Sequence, residues 1–220
     1  IALSTLAEIV QAASLRDRAK QNKTALILLA AGASRRYEHG DKLLAEYHGK
    51  PMLEHAARLR QHLPFADSIA VVAPNDAKRT AVLVTAGWTV LENPATMTGQ
   101  ASSLECGLDQ LSASPDIDQV IILLGDMPNV PAKHIEDMLA LARDPDVEAI
   151  MSENDTVLSP PALFKRSQFE ALSGISGDRG AKSIFLDIEH GARTLKLSMR
   201  EAIDIDCVAD LSGALETEHA

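Results

Sequence analysis

The sequence predicts an α/β fold in which a mostly parallel sheet is covered by helices on both faces. Short apolar runs alternate along the chain with amphipathic segments, which is the order expected of β-α-β units. Two of the runs, Ala25–Leu29 and Val120–Leu124, contain no polar residue, as strands do when both of their faces are buried. The overall composition, with 46% hydrophobic and 24% charged residues, is that of a chain able to bury such a core.

The individual elements follow from this alternation in chain order. Residues Leu3–Ala19 have apolar positions at helical spacing and precede a polar stretch, which indicates a helix and then a linker. Five strands are expected, at Thr24–Leu29, Ser68–Ala73, Thr89–Glu92, Gln119–Leu124 and Val147–Met151. Four helices are expected in the segments around them, at Met52–His62, Asp76–Ala86, Gln100–Leu111 and Ala132–Arg143.

The last third of the chain has a less regular pattern. The Ser159–Pro161 segment is interpreted as a break, and a glycine-rich turn is expected at Ser173–Gly180. Short strands are expected near Arg193–Leu197 and Ala202–Asp206. We therefore interpret residues 1–22, which begin with Ile and not Met, as the remnant of an upstream domain, and residues 23–220 as one domain.

Charge and cysteine content argue against several classes of function. Acidic residues outnumber basic residues by 31 to 21, and the net charge of -10 disfavours nucleic acid and anionic membranes as partners. The longest clearly apolar run, Ala25–Ala31, is far shorter than the roughly 18 to 20 residues of a membrane span. Cys106 and Cys207 lie far apart in the sequence and are interpreted as small core residues. We expect a cytoplasmic protein.

Small and basic residues follow the first strand, at the edge of a parallel sheet where ligands usually bind. The segment from Ala30 to Arg36 reads Ala-Ala-Gly-Ala-Ser-Arg-Arg, and its backbone amides could form a concavity that binds anions. With the charges of Arg36 and Lys42 it predicts a triphosphate cradle, although it matches neither the dinucleotide nor the P-loop fingerprint. The alternative is a small-residue turn with solvated arginines. We expect Lys42 to lie at the surface.

Aspartates follow two other predicted strands. Asp126 lies in Gly-Asp-Met-Pro directly after a buried strand, where a carboxylate suits Mg2+, although it could also cap the turn before Pro128. Asp204 and Asp206 would share one face of a strand at a separation of about 7 Å, which favours a bridging divalent ion. The alternative is an edge strand with its polar face in water, or a helix cap at Asp206.

Two further segments have the composition of an anion site. Gly99–Ser103 lies at a predicted helix start, where backbone amides and hydroxyls suit an anion. Gly177–Gly180, which contains Asp178, has a similar composition. Simple helix capping is the alternative for both segments.

Together, and in this order, the motifs resemble those of the MobA-like NTP transferases, and most closely the molybdenum cofactor cytidylyltransferase (MocA) branch. The resemblance covers about Lys23 to Leu215 and implies a Rossmann-like, GT-A-like nucleotidyltransferase fold of three layers. It is carried by Leu29–Arg36, Asp41–Leu44, Gly49–His55, Gly99–Leu104, Gly125–Pro128, Gly177–Ala181 and Ile203–Asp206. Separately, Ile1–Val10 is similar to the final helix of the XdhC/CoxI accessory family.

The resemblance implies that a nucleotide passes from an NTP to the phosphate of molybdopterin, with Mg2+ as cofactor and pyrophosphate as product. It implies triphosphate contacts for Arg36 and Lys42, metal binding for Asp126, Asp204 and Asp206, and a substrate contact for Asp178. The residues implied to bind the nucleotide are Ala30, Ala31, Gly32, Ala33, Ser34, Gly99 and Ser103. A molybdenum hydroxylase apoenzyme is an implied partner.

The details of the resemblance bear on the choice of nucleotide. Relatives that use GTP tend to have two glycines where this chain has Ala30 and Ala31, so CTP is expected as the donor. The alternative is that Ala31 only packs under the sheet and that the base is selected elsewhere, for example in the loop Ala73–Asn75. The chain departs from the usual family pattern at Tyr37–Gly40, at Leu158–Pro161 and at Cys207. Other functions stay open: an accessory module that binds molybdenum cofactor without catalysis, an oxidoreductase, or a guanylyl- or sugar-phosphate nucleotidyltransferase.

Overall fold

The computed structural model describes residues 23–32, 37, 40–63, 65–95, 99–175 and 180–202. Its strands are β1 (Thr24–Leu29), β2 (Glu46–Tyr47), β3 (Lys50–Pro51), β4 (Asp67–Val72), β5 (Thr89–Glu92), β6 (Gln119–Leu124), β7 (Ala149–Asn154), β8 (Val157–Lys165) and β9 (Ala192–Lys196). Its helices are α1 (Met52–Ala57), α2 (Leu59–His62), α3 (Ala77–Thr85), α4 (Gln100–Ser112), α5 (Ala132–Leu141), α6 (Phe169–Ser173) and α7 (Ala181–Asp187). Two 3-10 turns lie at Lys42–Leu44 and Arg166–Gln168.

The described strands form a seven-stranded sheet in the order β5-β4-β1-β6-β8-β7-β9, with β2 and β3 paired separately. Strand β8 runs antiparallel to β6 and β7, and the other neighbours in the large sheet are parallel. The strand order reverses between β4 and β6, on either side of β1. In such sheets, ligands bind beyond the carboxyl ends of the strands at this reversal.

Helices cover both faces of the sheet because the side chains of β1 alternate between two buried layers. Leu26 and Leu28 pack with residues of α1, α3 and α5 on one face. Ala25, Ile27 and Leu29 pack with residues of α4, α6 and α7 on the other. Alternation with a period of two is the geometry of a strand whose faces are both buried. The predicted α/β fold with a mostly parallel central sheet is confirmed.

Most of the predicted elements are present with small differences at their ends. The predicted helix Met52–His62 is divided at Arg58 into α1 and α2, and the strand predicted at Val147–Met151 begins and ends later, as β7. Strand β9 corresponds to the strand predicted near Arg193–Leu197. The predicted N-terminal helix and linker lie outside the described residues. Within the described part of the chain, no helix is long and apolar enough to cross a membrane.

The interpretation of Ser159–Pro161 as a break is wrong, because this segment lies inside strand β8. Met151 of β7 pairs with Ala162 of β8, whereas the next residue, Ser152, pairs with Ser159. Pro160 and Pro161 therefore occupy a bulge, where the ladder needs no backbone N–H. Near the carboxyl end of the chain, Ala202 lies in a turn. The rest of the strand predicted at Ala202–Asp206 lies outside the described residues.

A buried histidine helps to hold this bulge. The Ser152 hydroxyl donates to the Pro161 carbonyl at 2.7 Å, so its oxygen accepts from Nε2–H of His134 at 2.8 Å. Burial lowers the pKa of His134, against the smaller opposing effects of Glu201 and Asp137. The network therefore links α5, β7 and β8 through a neutral imidazole.

We expect the His134→Gln variant to lose less stability than the wild type on acidification. The unfolded chain takes up a proton on this histidine near its ordinary pKa of about 6.5, before the folded chain does, so stability falls as the pH drops below that value. A glutamine amide can donate to Ser152 and does not titrate. Melting temperatures between pH 7.5 and 5.5 test this, with the exposed His62→Gln as the control. An identical pH slope in wild type and His134→Gln would contradict it.

Candidate functional site

The residues directly after β1 and β6, which begin at Ala30 and Gly125, lie side by side at the point where the strand order reverses. Leu29 pairs with Leu124 at the ends of these strands, and the backbone N–H of Gly125 donates to the Leu29 carbonyl at 3.0 Å. A Cβ at Gly125 would lie 3.0 Å from a methyl carbon of Leu53, so the Leu53 side chain would have to shift to admit a side chain there. The structure thus brings Asp126 next to the segment that begins at Ala30.

An ion pair joins the loop after β6 to the short turn that begins at Lys42. Nζ of Lys42 donates to Oδ2 of Asp126 at 2.8 Å, and the two side chains are 9% and 23% exposed. The expectation of a surface lysine is therefore wrong. Asp41 starts the short turn that carries Lys42, since its carboxylate accepts from the backbone N–H of Leu43 at 3.0 Å.

The Asp126 carboxylate has the chemistry of a magnesium ligand. Mg2+ is usually bound through one or two carboxylates together with phosphates and water, and a carboxylate that accepts one bond from Lys42 retains lone pairs for a cation. In the part of the chain that the structure describes, no three His, Cys, Asp or Glu side chains are grouped to hold a metal. Asp126 therefore fits a site completed by substrate phosphates or by other carboxylates.

A segment near the carboxyl end of the chain contacts the loop that follows Asp126. The Asn129 side chain donates to the Arg200 carbonyl at 3.3 Å and accepts from the Tyr47 hydroxyl at 2.9 Å. Tyr47 is fully buried, so this connection is anchored in the core. Asn129, three residues after Asp126, thus holds the backbone of Arg200 beside this loop, four residues before Asp204.

A second hydrogen-bonded group lies where α4 begins. The Asn93 amide, just after β5, donates to the hydroxyls of Ser102 and Ser103 at 3.0 and 3.1 Å. Both Asn93 and Ser103 are buried. Gly99 precedes the helix with a φ of 104°, a conformation that disfavours a side chain. Asn93, which sequence reasoning missed, could have been noticed as a polar residue directly after a strand.

Sequence reasoning also missed Arg79, a buried arginine of α3. Its Nη1 donates to the carbonyls of Ala30 and Gly32 at 2.6 and 2.9 Å. Its Nε and Nη2 donate to the two carboxylate oxygens of Asp41 at 2.9 and 2.8 Å. The available signal was its position four residues before Leu83, on the buried face of an amphipathic helix.

The other predicted site residues divide into two groups. Ala30 and Ala31 are buried and Gly32 is exposed, so the first loop emerges from the core at its glycine. The predicted residues that lie outside the described part are Ala33, Ser34, Arg36, Asp178, Asp204 and Asp206. The core interpretation of Cys106 agrees with its half-buried position, where burial raises the pKa of the thiol. Cys207 lies outside the described residues.

The chain is similar to one curated protein and to several solved structures. It is 29% identical over 108 residues to the purine catabolism protein PucB of Bacillus subtilis (strain 168), a match that covers 49% of this chain and 50% of that protein. The matched part thus spans about half the length of this curated relative.

Among solved structures, Rv0371c from Mycobacterium tuberculosis H37Rv superposes with a TM-score of 0.75 at 21% identity, over 89% of this chain and 98% of that one. Its complex with manganese gives a TM-score of 0.70 at 21% identity, over 88% and 98%. The 4-diphosphocytidyl-2C-methyl-D-erythritol synthase from Anaerococcus prevotii DSM 20548 gives 0.73 at 14% identity, over 94% and 99%. At such low identities these similarities show the fold.

The family comparison covers most strands of the sheet and the sequence that follows β1 and β6. The MobA-like NTP transferase domain matches residues 26–193, which is well over half of the 220 residues. The matched region contains the Lys42–Asp126 pair and Arg79. Because a single domain family accounts for so much of the sequence, the chain belongs to the MobA-like NTP transferase family.

Proposed function

We propose that this chain transfers a nucleotidyl group from an NTP, with CTP preferred, to the phosphate of molybdopterin. The observation that carries the proposal is the ion pair between Lys42 and Asp126, held at 2.8 Å beside the loop that begins at Ala30. Transfer of a phosphoryl-type group requires mainly positioning and charge neutralisation, and no protein nucleophile. At the reversal of the strand order, the Lys42 ammonium can donate to phosphate oxygens and the Asp126 carboxylate can hold a divalent cation. Membership of the family supports the reaction class.

In the proposed reaction, an oxygen of the acceptor phosphate attacks the α-phosphorus of the NTP. The bond from the α-phosphorus to the bridging oxygen breaks, a new phosphate–phosphate linkage forms, and pyrophosphate leaves. Lys42 and Arg36 neutralise the triphosphate, and Asp178 contacts the acceptor. The nucleotide is bound by Ala30, Ala31, Gly32, Ala33, Ser34, Gly99 and Ser103.

The metal is assigned to Asp126 together with Asp204 and Asp206. When bound there, Mg2+ supplies charge neutralisation at the phosphate oxygens. The contact between Asn129 and the Arg200 carbonyl supports this assignment, because it holds the described chain near Asp126 shortly before the other two aspartates. The manganese complex of a protein with a similar fold supports a divalent cation in this class of domain.

The molybdopterin acceptor and a molybdenum hydroxylase partner are proposed from the ordered motifs that resemble the cytidylyltransferase branch. The direct experiment incubates the chain with each NTP, Mg2+ and molybdopterin, and follows pyrophosphate release and the mass of the product. A cytidylylated product is expected. Binding of molybdopterin without pyrophosphate release from any NTP would contradict catalysis and would favour an accessory module.

The choice of base is predicted to depend on the loop opening. Ala31, which is 8% exposed directly before Gly32, adds a methyl group that a glycine lacks, and we propose that this methyl group narrows the space for the base. A difference of methyl size is worth roughly 10- to 200-fold in discrimination. We expect turnover with CTP to exceed that with GTP, and Ala31→Gly to reduce the ratio. Ala73→Gly, in the loop after β4, is the control and should leave the ratio unchanged.

Turnover with the two nucleotides at equal concentration provides the measurement. A preference for GTP or ATP in the wild type would end the cytidylyl proposal but leave nucleotidyl transfer intact. A ratio changed by Ala73→Gly and not by Ala31→Gly would place base selection in the loop after β4.

A further inference from the structure

The buried side chain of Arg79 connects two separate segments of the site, Ala30–Gly32 and the residue Asp41. Its side chain is 5% exposed, and its guanidinium donates both to the loop after β1 and to Asp41, the residue before Lys42. A planar guanidinium with donors in a fixed fork restricts the orientation of its partners more than a lysine ammonium can. The two segments are therefore held in one relative position.

The contacts with the loop also set the direction of a peptide group. In a trans peptide the carbonyl of one residue and the N–H of the next point in opposite directions. Because the Ala30 carbonyl points at Arg79 at 2.6 Å, the N–H of Ala31 points away from it. The Gly32 carbonyl is also directed at Arg79, at 2.9 Å. An anion-binding loop depends on such control of its amide directions.

The charges around Arg79 indicate that it acts through the loop. Asp41 accepts two of its N–H groups, and a carboxylate oxygen of Asp76 lies 3.1 Å from its Nε. The carboxylates of Asp41 and Asp76 thus compensate the charge of the buried guanidinium. Burying a charged group costs free energy, and these ion pairs offset that cost within the protein.

We propose that Arg79 is a positioning residue for the nucleotide triphosphate: it orients the loop after β1 and fixes Lys42 relative to that loop, without contacting the nucleotide. The proposal rests on the proposed nucleotidyl transfer. The link from Arg79 to the reacting phosphates runs through Asp41, the turn at Lys42–Leu44 and the ion pair of Lys42 with Asp126.

The experiment compares Arg79→Lys, Arg79→Met and Asp41→Asn with the wild type. We measure the Kd for CTP with Mg2+, kcat and KM, and amide hydrogen exchange of residues 30–32 without nucleotide. Misplacement of reacting groups by about 1 Å can cost roughly 10²-fold in rate, so a turnover loss of that size is expected for Arg79→Met. Arg79→Lys should recover part of it, and both should show weaker CTP binding and faster exchange.

Arg166→Met is the matched control for a general loss of stability. Arg166 also donates to two backbone carbonyls, those of Ser114 and Ile117 at 3.1 and 2.7 Å, but these lie before β6, at the opposite edge of the sheet. The control should unfold at a lower temperature without a change in CTP affinity or in exchange at residues 30–32. Asp41→Asn keeps the test decisive if Arg79→Met does not fold.

The outcomes separate the two proposals. Unchanged CTP affinity and unchanged exchange in Arg79→Lys and Asp41→Asn would overturn the role of Arg79. Equal effects in Arg166→Met would overturn it as well, because they would show a general loss of stability. A wild type that binds no NTP would overturn the proposed function and the triphosphate role together, whereas the exchange data would still report whether Arg79 holds the loop.

Discussion

Asp126→Asn is expected to lower turnover by about 10²-fold or more while the fold is retained. The amide is nearly isosteric with the carboxylate and keeps an oxygen that can accept from Lys42. It removes the negative charge that the proposed metal site requires at the end of β6. Turnover, the concentration of Mg2+ for half-maximal rate and the melting temperature are the three measurements. We expect turnover to fall, the Mg2+ concentration for half-maximal rate to rise, and the melting temperature to stay close to that of the wild type.

The matched control is Asp118→Asn, which lies just before the amino end of the same strand. Its carboxylate is 55% exposed and pairs with Lys23 at 3.3 Å, so its removal should change stability by no more than about 0.5 kcal/mol. Turnover should not change. If Asp126→Asn keeps activity within a few-fold of the wild type, Asp126 is not the metal ligand, and its role is limited to the ion pair with Lys42.

Lys42→Ala is expected to weaken NTP binding and to reduce turnover by about 10²-fold. It should also reduce stability, by about 1 to 3 kcal/mol, because Asp126 is left in a partly buried position without its cation. Lys42→Met retains most of the apolar stem and should recover part of the stability but none of the NTP affinity. The difference between these two variants separates packing from charge.

Lys133→Ala serves as the control because it removes a lysine of the same type from an exposed ion pair. Lys133 is 71% exposed and pairs with Asp137 one turn along α5. Neither NTP affinity nor melting temperature should change appreciably. A loss of stability in Lys42→Ala and Lys42→Met without any loss of NTP affinity would show that Lys42 has a structural role alone.

The sheet was predictable because its signal is local. The apolar runs of β1 and β6 indicate burial on both faces, and the amphipathic segment Gln100–Leu111 indicates the helix α4 that precedes β6. Asp126 could be singled out for the same reason, since its place directly after a buried strand depends only on neighbouring residues. The motifs that carry the resemblance to the family are local in the same sense, because each is a short run of neighbouring residues.

Tertiary structure decided the features that join residues far apart in the chain. The prolines of β8 are tolerated because they occupy a bulge of β8, opposite the step from Met151 to Ser152 in β7. No pattern within β8 predicts which strand it pairs with. Lys42 is buried because it meets Asp126, which is 84 residues away, and Arg79 meets the Ala30 carbonyl across 49 residues. The sequence by itself determined the α/β class, the buried strands and the polar residues at their ends, because periodicity and strand ends are local properties. Which charges pair, and which loop each one holds, depended on the packing of α3 and the order of the strands, because a buried ion pair forms only where folding brings its partners together.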